Sequence, residues 1–369
     1  MDTERPAEAN SARSRPTLPQ MNVSPSEYFQ RQTVIPDIGA AGLEKLRKAK
    51  VTVVGVGGVG ATIADFLARC GVGFLRLIDQ DIVEPSNLHR LIGVGRESLY
   101  RPKSEVVAST ISKTNPWTRI EPVVETLRPS NVVELLGEAD LIMDGLDNFR
   151  TRYYLNRHSL EQHVPYIFTS AIATQGHIGV FAPPETPCLA CAFPSVADRL
   201  EESCETLGII PPVVGIVGAI AASEAVKILL GLSTTLSGGL LTVDMAGPDF
   251  LLSRVPRRDD CKACGVARDT SNPPQGTLTI LCGENTFNIV PPEPLSLDLR
   301  TILSSLAQAT ILTEAHSLLV YRTAKLTVSV FKSGRLLIKG ADGEHEALSI
   351  ASELWSRVSP ESSLVHEAV

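Results

Sequence analysis

The sequence predicts a doubly wound α/β fold with a mostly parallel sheet, followed by a smaller α+β unit. Three observations predict it. From about Tyr28 to Asp147, short β-branched runs alternate with helical stretches. The first run, Val51–Val54, leads into Gly55-x-Gly57-x-x-Gly60, and the second ends in an acid, Asp79. Beyond a composition break at 268–276 (RDTSNPPQG), closely spaced short strands replace that alternation. Strands separated by helices read as parallel βαβ units, and a Gly-rich strand-to-helix turn makes the first part Rossmann-like.

The elements follow in order. Residues 1–27 are rich in Pro, Ser, Ala and charge and show no apolar h-region, so a disordered tail and no secretory signal are expected. Strands are predicted at Val51–Val54, Phe74–Ile78, Arg119–Val124 and Leu141–Asp144, with helices at Ala61–Cys70, Pro102–Thr114 and Ser130–Gly137. Runs at Tyr166–Ser170, His177–Phe181 and Leu240–Val243 suggest an antiparallel extension of the sheet. The apolar stretch Leu207–Ala222 contains Pro211 and Pro212 and is followed by Glu224 and Lys227, which predicts a buried helix after a Pro-Pro entry and not a membrane span. The first domain then covers 28–268 and a linker 269–276. The C-terminal domain, 277–369, carries strands at Thr277–Cys282, Thr286–Val290, Leu318–Tyr321, Leu326–Phe331 and Leu336–Ile338, with helices at Leu297–Gln308 and Glu344–Val358.

At 369 residues and 43% hydrophobic the chain can bury two cores, and a net charge of −7 argues against a nucleic-acid footprint. A cytoplasmic location is the expectation, with no nucleic-acid or membrane partner.

The chemistry is read from four clusters. In the glycine loop, Gly55 permits the tight turn, Gly57 lets backbone approach a phosphate, and Gly60 allows close helix–strand contact. The following helix offers free N–H groups to an anion, and Asp79 is placed to accept from a ribose hydroxyl. Next, DQDIVEPSNLHR sets Asp81, Asn87 and Arg90 past the second strand, with Lys103 opening the next helix. DGLDNFRTR then puts Asp144, Asp147, Asn148 and Arg152 at the end of the fourth strand. Arg90 and Lys103 suit a triphosphate and Asp147 suits Mg²⁺, a set that nucleotidyl transfer needs and hydride transfer does not. Lastly, Cys188/Cys191 and Cys261/Cys264 form two C-x-x-C pairs. A redox pair competes for each alone, but two pairs in a chain expected to be cytosolic favour a tetrahedral Zn²⁺ of structural role. Cys70 and Cys282 are expected in cores, and His177 as a satisfied sheet residue.

These residues together, GVGGVG, DQDIVEPSNLHR, Arg101-Pro102-Lys103, DGLDNFRTR and the two C-x-x-C pairs, resemble the ThiF/MoeB superfamily of activating enzymes for ubiquitin-like and sulfur-carrier proteins, over roughly Tyr28 to Val266. The resemblance implies ATP- and Mg²⁺-dependent adenylation of the C-terminal glycine of a small β-grasp protein. It places Gly55, Gly57 and Gly58 at the nucleotide, Asp79 on the ribose, Asn87, Arg90 and Lys103 on phosphates, and Asp147 on Mg²⁺. YFQRQ matches the family's N-terminal arginine motif, so Arg31 would reach the partner subunit's site in a homodimer. A Leu, Leu91, stands where many members carry a Gln, which removes a polar group near the nucleotide. Cys204, in LEESCETLGIIPP, matches the position of the acyl-accepting cysteine, although Glu201, Glu202 and Glu205 would raise its pKa.

The last domain carries no rhodanese loop, since Cys282 is followed by Gly-Glu-Asn. Its strand order allows a β-grasp-like module that would recruit a conjugating enzyme, so activation of a ubiquitin-like modifier for conjugation is the primary expectation. The alternative is adenylation of a sulfur carrier for thiocarboxylate formation. A nicotinamide-dependent dehydrogenase leaves Arg90, Lys103, Asp147 and the cysteines without a task, and a non-catalytic nucleotide-binding adaptor leaves the three charged residues without one.

Overall fold

The computed structural model describes residues 23–194, 196, 207–266, 278–281, 286–291, 295–306 and 309–356. Most of the expected N-terminal tail, the linker 269–276, Cys204 and Cys282 lie outside the described residues.

In chain order the elements are α1 (Pro25–Tyr28), α2 (Gln30–Thr33), α3 (Gly39–Lys48), β1 (Lys50–Val54), α4 (Gly58–Arg69), β2 (Phe74–Ile78), α5 (Lys103–Thr114), β3 (Arg119–Val123), α6 (Val132–Leu136), β4 (Leu141–Asp144), α7 (Phe149–Gln162), β5 (Tyr166–Ile172), β6 (Gln175–Phe181), α8 (Leu189–Ala192), α9 (Pro211–Leu230), β7 (Gly239–Asp244) and β8 (Asp249–Arg254). The C-terminal unit adds β9 (Leu278–Leu281), β10 (Thr286–Ile289), α10 (Leu299–Ser304), β11 (Thr310–Glu314), β12 (Leu318–Arg322), β13 (Thr327–Phe331), β14 (Leu336–Lys339) and α11 (Glu344–Ser356).

The first sheet runs β3-β2-β1-β4-β5-β6-β7-β8. Its strands are parallel from β3 to β5 and antiparallel from β5 to β8, and the sequence predicts this order as far as β7. β1 departs on one side to β2 and on the other to β4, so its carboxyl end is the switch point where ligands of such sheets bind. Val51 and Val53 on one face and Thr52 and Val54 on the other are all buried, so the strand shows none of the in-out alternation of a half-exposed sheet.

Helices α3 and α7 and strand β11 have no counterpart among the expected elements, and α4 and β8 also differ from expectation. Helix α4 begins at Gly58, three residues before Ala61, because Gly58 and Gly60 already lie in its first turn. β8 was not foreseen: DFLLSR has a Phe-Leu-Leu run flanked by charge, yet all six residues are exposed along the sheet's edge. Helix α9, 20 residues, is long and apolar enough to cross a bilayer. Here Val213, Val217, Ala221 and Ala225 are buried in the main core beside Ile63, Leu67 and Ile178, and buried Glu224 pairs with Lys227 at 2.5 Å.

The C-terminal sheet runs β11-β12-β13-β14-β10-β9, and every described pairing in it is antiparallel. It therefore lacks, among the described residues, the parallel central pair of a β-grasp sheet, and what holds is the small α+β unit. Both its faces are covered. Leu319, Tyr321, Val328, Val330 and Ile338 pack beneath α10 and α11, while Leu318, Val320, Phe331 and Leu337 on the opposite face pack on Ile82, Tyr100 and Val124 of the first domain. Successive strand residues point to opposite faces, so a run such as Leu318-Leu319-Val320-Tyr321 is the pattern of a sheet buried on both sides.

Candidate nucleotide and metal sites

The carboxyl ends of β1, β2 and β4 bring together most of the residues singled out in the sequence. Gly55 takes φ +80°, and the turn is fixed by its N–H donating to the Ile78 carbonyl at 2.8 Å. A Cβ on Gly60 would lie 1.8 Å from the Gly55 carbonyl oxygen, so only glycine lets α4 sit against the loop. At Gly57 the opposite holds: a Cβ there meets nothing within 4 Å, leaving open space above the helix end. No side chain caps α4, so its first-turn N–H groups face that space. This is the arrangement of an anion-binding helix terminus.

Asp79 is buried, with Oδ2 accepting from the Val56 N–H and Oδ1 from the Asp81 N–H, both at 2.7 Å. Burial pushes its carboxyl up to about 6, with Asp81 adding to the rise and Lys103 opposing it. Such a carboxylate is short of donors, and ribose hydroxyls are donors of the kind that would stabilise it. Lys103, first residue of α5, places Nζ 3.2 Å from Asp81 Oδ2, and its N–H donates to the Asp81 carbonyl at 2.8 Å. Burial alone would lower the Lys103 ammonium; Asp81, Asp79 and Asp147 outweigh it and raise it above the usual lysine range.

Asn87 ends the short 3₁₀ turn Pro85–Asn87, its Oδ1 accepting from the Glu84 N–H at 3.2 Å. Arg90 follows on the exposed side, with Nη1 donating to the Ser86 carbonyl at 2.7 Å. A Cβ on Gly58 would stand 3.2 Å from the Arg90 carbonyl oxygen, which puts Arg90 against the first turn of α4. Leu91 departs from expectation: it is 2% exposed in the main apolar core and does not face the nucleotide space.

On β4, the two acids of DGLD divide. Asp144 is fully buried and accepts from Arg152 Nε at 3.2 Å, Tyr166 Oη at 2.5 Å and the Leu146 N–H at 2.8 Å. Arg152 also donates to the carbonyls of Leu146 and Thr169 and stacks 4.9 Å from the Phe149 and Phe168 rings. The pair is therefore a support for the loop, not a ligand set. Asp147 is exposed and accepts from Asn148 Nδ2 at 3.3 Å, while Asn148 Oδ1 caps α7 through the Thr151 N–H. Arg152→Met leaves Asp144 buried without its cation, and an unfolding titration is expected to show a loss of about 3–5 kcal/mol. Arg152→Met with Asp144→Asn is expected to recover part of it.

Arg31 lies on α2, exposed. Its neighbours Phe29 and Gln32 pack at Gly71 and Cys70, the far end of α4 from the glycine loop, a helix ~18 Å long at ~1.5 Å per residue. Cys70 is half-buried rather than a core residue, because it caps the helix where Phe66 is exposed. His177 is satisfied by Ser170 Oγ at 3.2 Å.

The four paired cysteines converge. Cys188 is the N-cap of α8 after β6 and Cys191 lies within that helix, Cys261 and Cys264 follow β8, and all four sulfurs lie within 4.8 Å of one another. Three Sγ–Sγ separations are 4.0, 3.8 and 3.4 Å. A tetrahedron of sulfurs ~2.3 Å from a zinc ion has edges of about 3.8 Å, so the donor set fits Zn²⁺ with no position left open.

One residue at the site carried no signal in the sequence. Arg335, from the C-terminal domain, donates through Nη1 to the Gln80 carbonyl and through Nη2 to Asp81 Oδ1 at 3.4 Å.

Residues 29–265 match the ThiF family. The chain is 34% identical over 245 residues to a sulfur carrier protein adenylyltransferase of Thermus thermophilus, covering 65% of this chain and 90% of that protein. It is 36% identical over 245 residues to the adenylyltransferase and sulfurtransferase MOCS3 of Xenopus laevis, covering 66% of this chain but only 54% of the frog protein, about half its length. Among solved structures, E. coli MccB with MccA-N7isoASN superposes with a TM-score of 0.58 at 23% identity, over 65% of this chain and 77% of that one, a likeness of fold. The glycine loop, the switch-point carboxylates, the four-cysteine cluster and the match through residues 29–265 agree: this chain belongs to the ThiF family.

Proposed function

We propose that this chain uses ATP to adenylate the C-terminal carboxylate of a small sulfur-carrier protein. The observation that carries the proposal is the gathering of an uncapped helix end, Arg90, Lys103 and the exposed Asp147 around the switch point of the sheet. The name of the Thermus relative, a sulfur carrier protein adenylyltransferase, supports this substrate class. Conjugation of a ubiquitin-like modifier, the primary expectation from the sequence, loses its footing, because the recruiting role rested on a β-grasp-like C-terminal sheet.

In the proposed reaction a carboxylate oxygen attacks the α-phosphorus of ATP. The bond from that phosphorus to the bridging oxygen breaks, and pyrophosphate leaves with the electron pair. No base is required, since a C-terminal carboxyl is ionised at neutral pH. Lys103 and Arg90 would neutralise the phosphates, the α4 terminus would hold one of them, and Asp79 would orient the ribose. Asp147 offers an exposed carboxylate for Mg²⁺, whose part would be to offset charge on the leaving pyrophosphate. Arg31 stands too far along its own subunit to serve its own loop by this route, so its role would be in the partner subunit of a homodimer.

The test is ATP–pyrophosphate exchange with sulfur-carrier and ubiquitin-like proteins ending in Gly-Gly, beside a non-reducing gel on wild type and Cys204→Ala. Exchange that depends on a sulfur carrier is the expected result. A thiol-sensitive adduct seen with wild type alone would assign Cys204 as the thiolate that attacks the acyl-adenylate carbonyl and releases AMP. Exchange with none of the candidates would reject the proposal.

A further inference from the structure

The nucleotide site contains a charge from outside the family's domain. Arg335 precedes β14 on the hairpin turn after β13, well past the family match that ends at residue 265. It is 1% exposed, and each part of its guanidinium is engaged. Nε donates to Asn288 Oδ1 at 2.7 Å, Nη1 to the Gln80 carbonyl, and Nη2 to Asp81 Oδ1 at 3.4 Å, while the group lies 4.4 Å over the Phe331 ring. The turn itself is pinned: Phe331 N–H donates to the Arg335 carbonyl at 2.9 Å, and Trp355 Nε1 on α11 donates to the Gly334 carbonyl at 2.7 Å. Around it the two domains meet through Ser317 Oγ on Glu105 at 2.9 Å, Arg322 on Tyr100 Oη at 3.0 Å and the apolar contact of Phe331, Leu318 and Val320 with Ile82. The arginine is thus held from both sides and cannot be an incidental surface contact.

The consequence lies in how Asp81 is shared. Its Oδ2 faces Lys103 and its Oδ1 faces Arg335, while its N–H holds Asp79, which in turn holds the Val56 N–H of the glycine loop. Burial would raise the Asp81 carboxyl, but Lys103 and Arg335 together hold it below the usual carboxylate range. If Lys103 is to bind phosphate it must leave Asp81. With Arg335 in place, that carboxylate keeps a cation when Lys103 turns away; without it, a half-buried anion would be left without a cation, and Lys103 would stay bound to it.

We propose that Arg335, supplied by the C-terminal domain, is a positioning residue of the nucleotide site that shares Asp81 and thereby frees Lys103 for the phosphates of ATP. This rests on the use of ATP proposed above. It makes the C-terminal domain a built-in part of the adenylation site, not a separate recruiting module.

The test is calorimetric binding of Mg-ATP and of adenosine to the full-length chain. Arg335→Gln keeps hydrogen-bonding capacity but removes the charge; its Kd for ATP is expected to rise on the order of tenfold. Adenosine, which has no phosphate for Lys103, should bind as it does to wild type. Adding Asp81→Asn removes the competing carboxylate and is expected to return ATP affinity to that of Asp81→Asn alone. Arg335→Lys keeps the charge but not the fork that reaches Asn288, Gln80 and Asp81 together, so a loss of ATP affinity smaller than that of Arg335→Gln is expected, again relieved by Asp81→Asn. Ser317→Ala, which weakens the domain contact elsewhere, should change neither ligand. Unchanged ATP binding by Arg335→Gln overturns the proposal. So does an equal loss of ATP and adenosine, or a loss that Asp81→Asn does not relieve, since each means that Arg335 only docks the domains. If Arg335→Gln fails to fold, a folded Arg335→Lys that loses ATP and adenosine equally, or whose loss Asp81→Asn does not relieve, overturns it as well. Wild-type protein that binds no ATP rejects the ATP reading itself, and this inference with it, before any variant is compared.

Discussion

Asp147→Ala is expected to cut ATP–pyrophosphate exchange by at least about 100-fold, the scale seen when one group stabilising transition-state charge is removed. The same variant should leave the melting temperature within about 2 °C of wild type, as surface substitutions do. Both halves follow from where the side chain sits. Asp147 is exposed and accepts a 3.3 Å hydrogen bond from its neighbour Asn148, so folding depends little on it. Yet the loop that carries it is held firmly, because Asp144 accepts from Leu146 N–H, Tyr166 and Arg152, and Arg152 reaches on to the Leu146 carbonyl. An exposed acid on a rigid loop beside Lys103 has the character of a ligand and not of a scaffold. The neighbouring acid should behave in the opposite way: Asp144→Ala would strand Arg152 and lower stability first. Exchange assays run beside thermal melts separate the two. Near-normal exchange in a folded Asp147→Ala protein would remove Asp147 from the phosphate site and, with it, the case for a metal there.

That contrast shows what could be read from residues alone. The sheet was legible because β1, β2 and β4 are short apolar runs with fixed punctuation, and the loop because glycine is required where Gly60 meets the Gly55 carbonyl. The four-cysteine cluster was legible from spacing, since C-x-x-C brings two sulfurs to one side of a short turn, although which turn meets which is decided only by β6, β7 and β8 folding back. In DGLD the sequence assigned Mg²⁺ to Asp147, but nothing in it assigned Asp144 to the buried support of the loop. Asp144 and Asp147 look alike in sequence, and only the end of β4 turning outward buries one and exposes the other. Leu91 misled for the same reason: its place beside Arg90 suggested a pocket, but the side chain turns into the core. Arg335 was invisible because its partners, Gln80 and Asp81, lie some 250 positions away in sequence and the contact exists only when two domains dock. β-grasp topology was inferred from strand order, and strand order does not fix direction.

Removing the metal is expected to lower the melting temperature by roughly 10 °C, because free zinc at 100 to 1,000 times its Kd stabilises a fold by about 2.7–4.1 kcal/mol and ~1 kcal/mol moves a domain of this size by a few degrees. The site closes a segment that otherwise has little to hold it. β8 is exposed at all six positions and is bound to the sheet through β7 alone, and the chain after it is tied back at Cys261 and Cys264 to the turn after β6. Burial and the neighbouring sulfurs push the Cys188 thiol far above the usual range, and burial raises Cys264 to about 11, so without a cation these thiols stay protonated. Zinc binding must therefore release protons, and the stabilisation is present near neutral pH and lost as the pH falls. The core around β1, α4 and α9 needs no metal, which distinguishes this chain from a zinc finger that unfolds when its ion is removed. Hydrogen exchange should then show β7, β8 and the segments around the four cysteines opening after chelation, while β1, β2 and β4 remain protected. Cys261→Ser should reproduce that pattern and bring the zinc content from about one per chain to near zero. Exchange activity measured well below the lowered melting temperature is expected to persist in part, since a closed sulfur shell offers no place for substrate. Complete loss of nucleotide binding in a folded, zinc-free protein would mean that the metal shapes the nucleotide site and does more than fasten an edge.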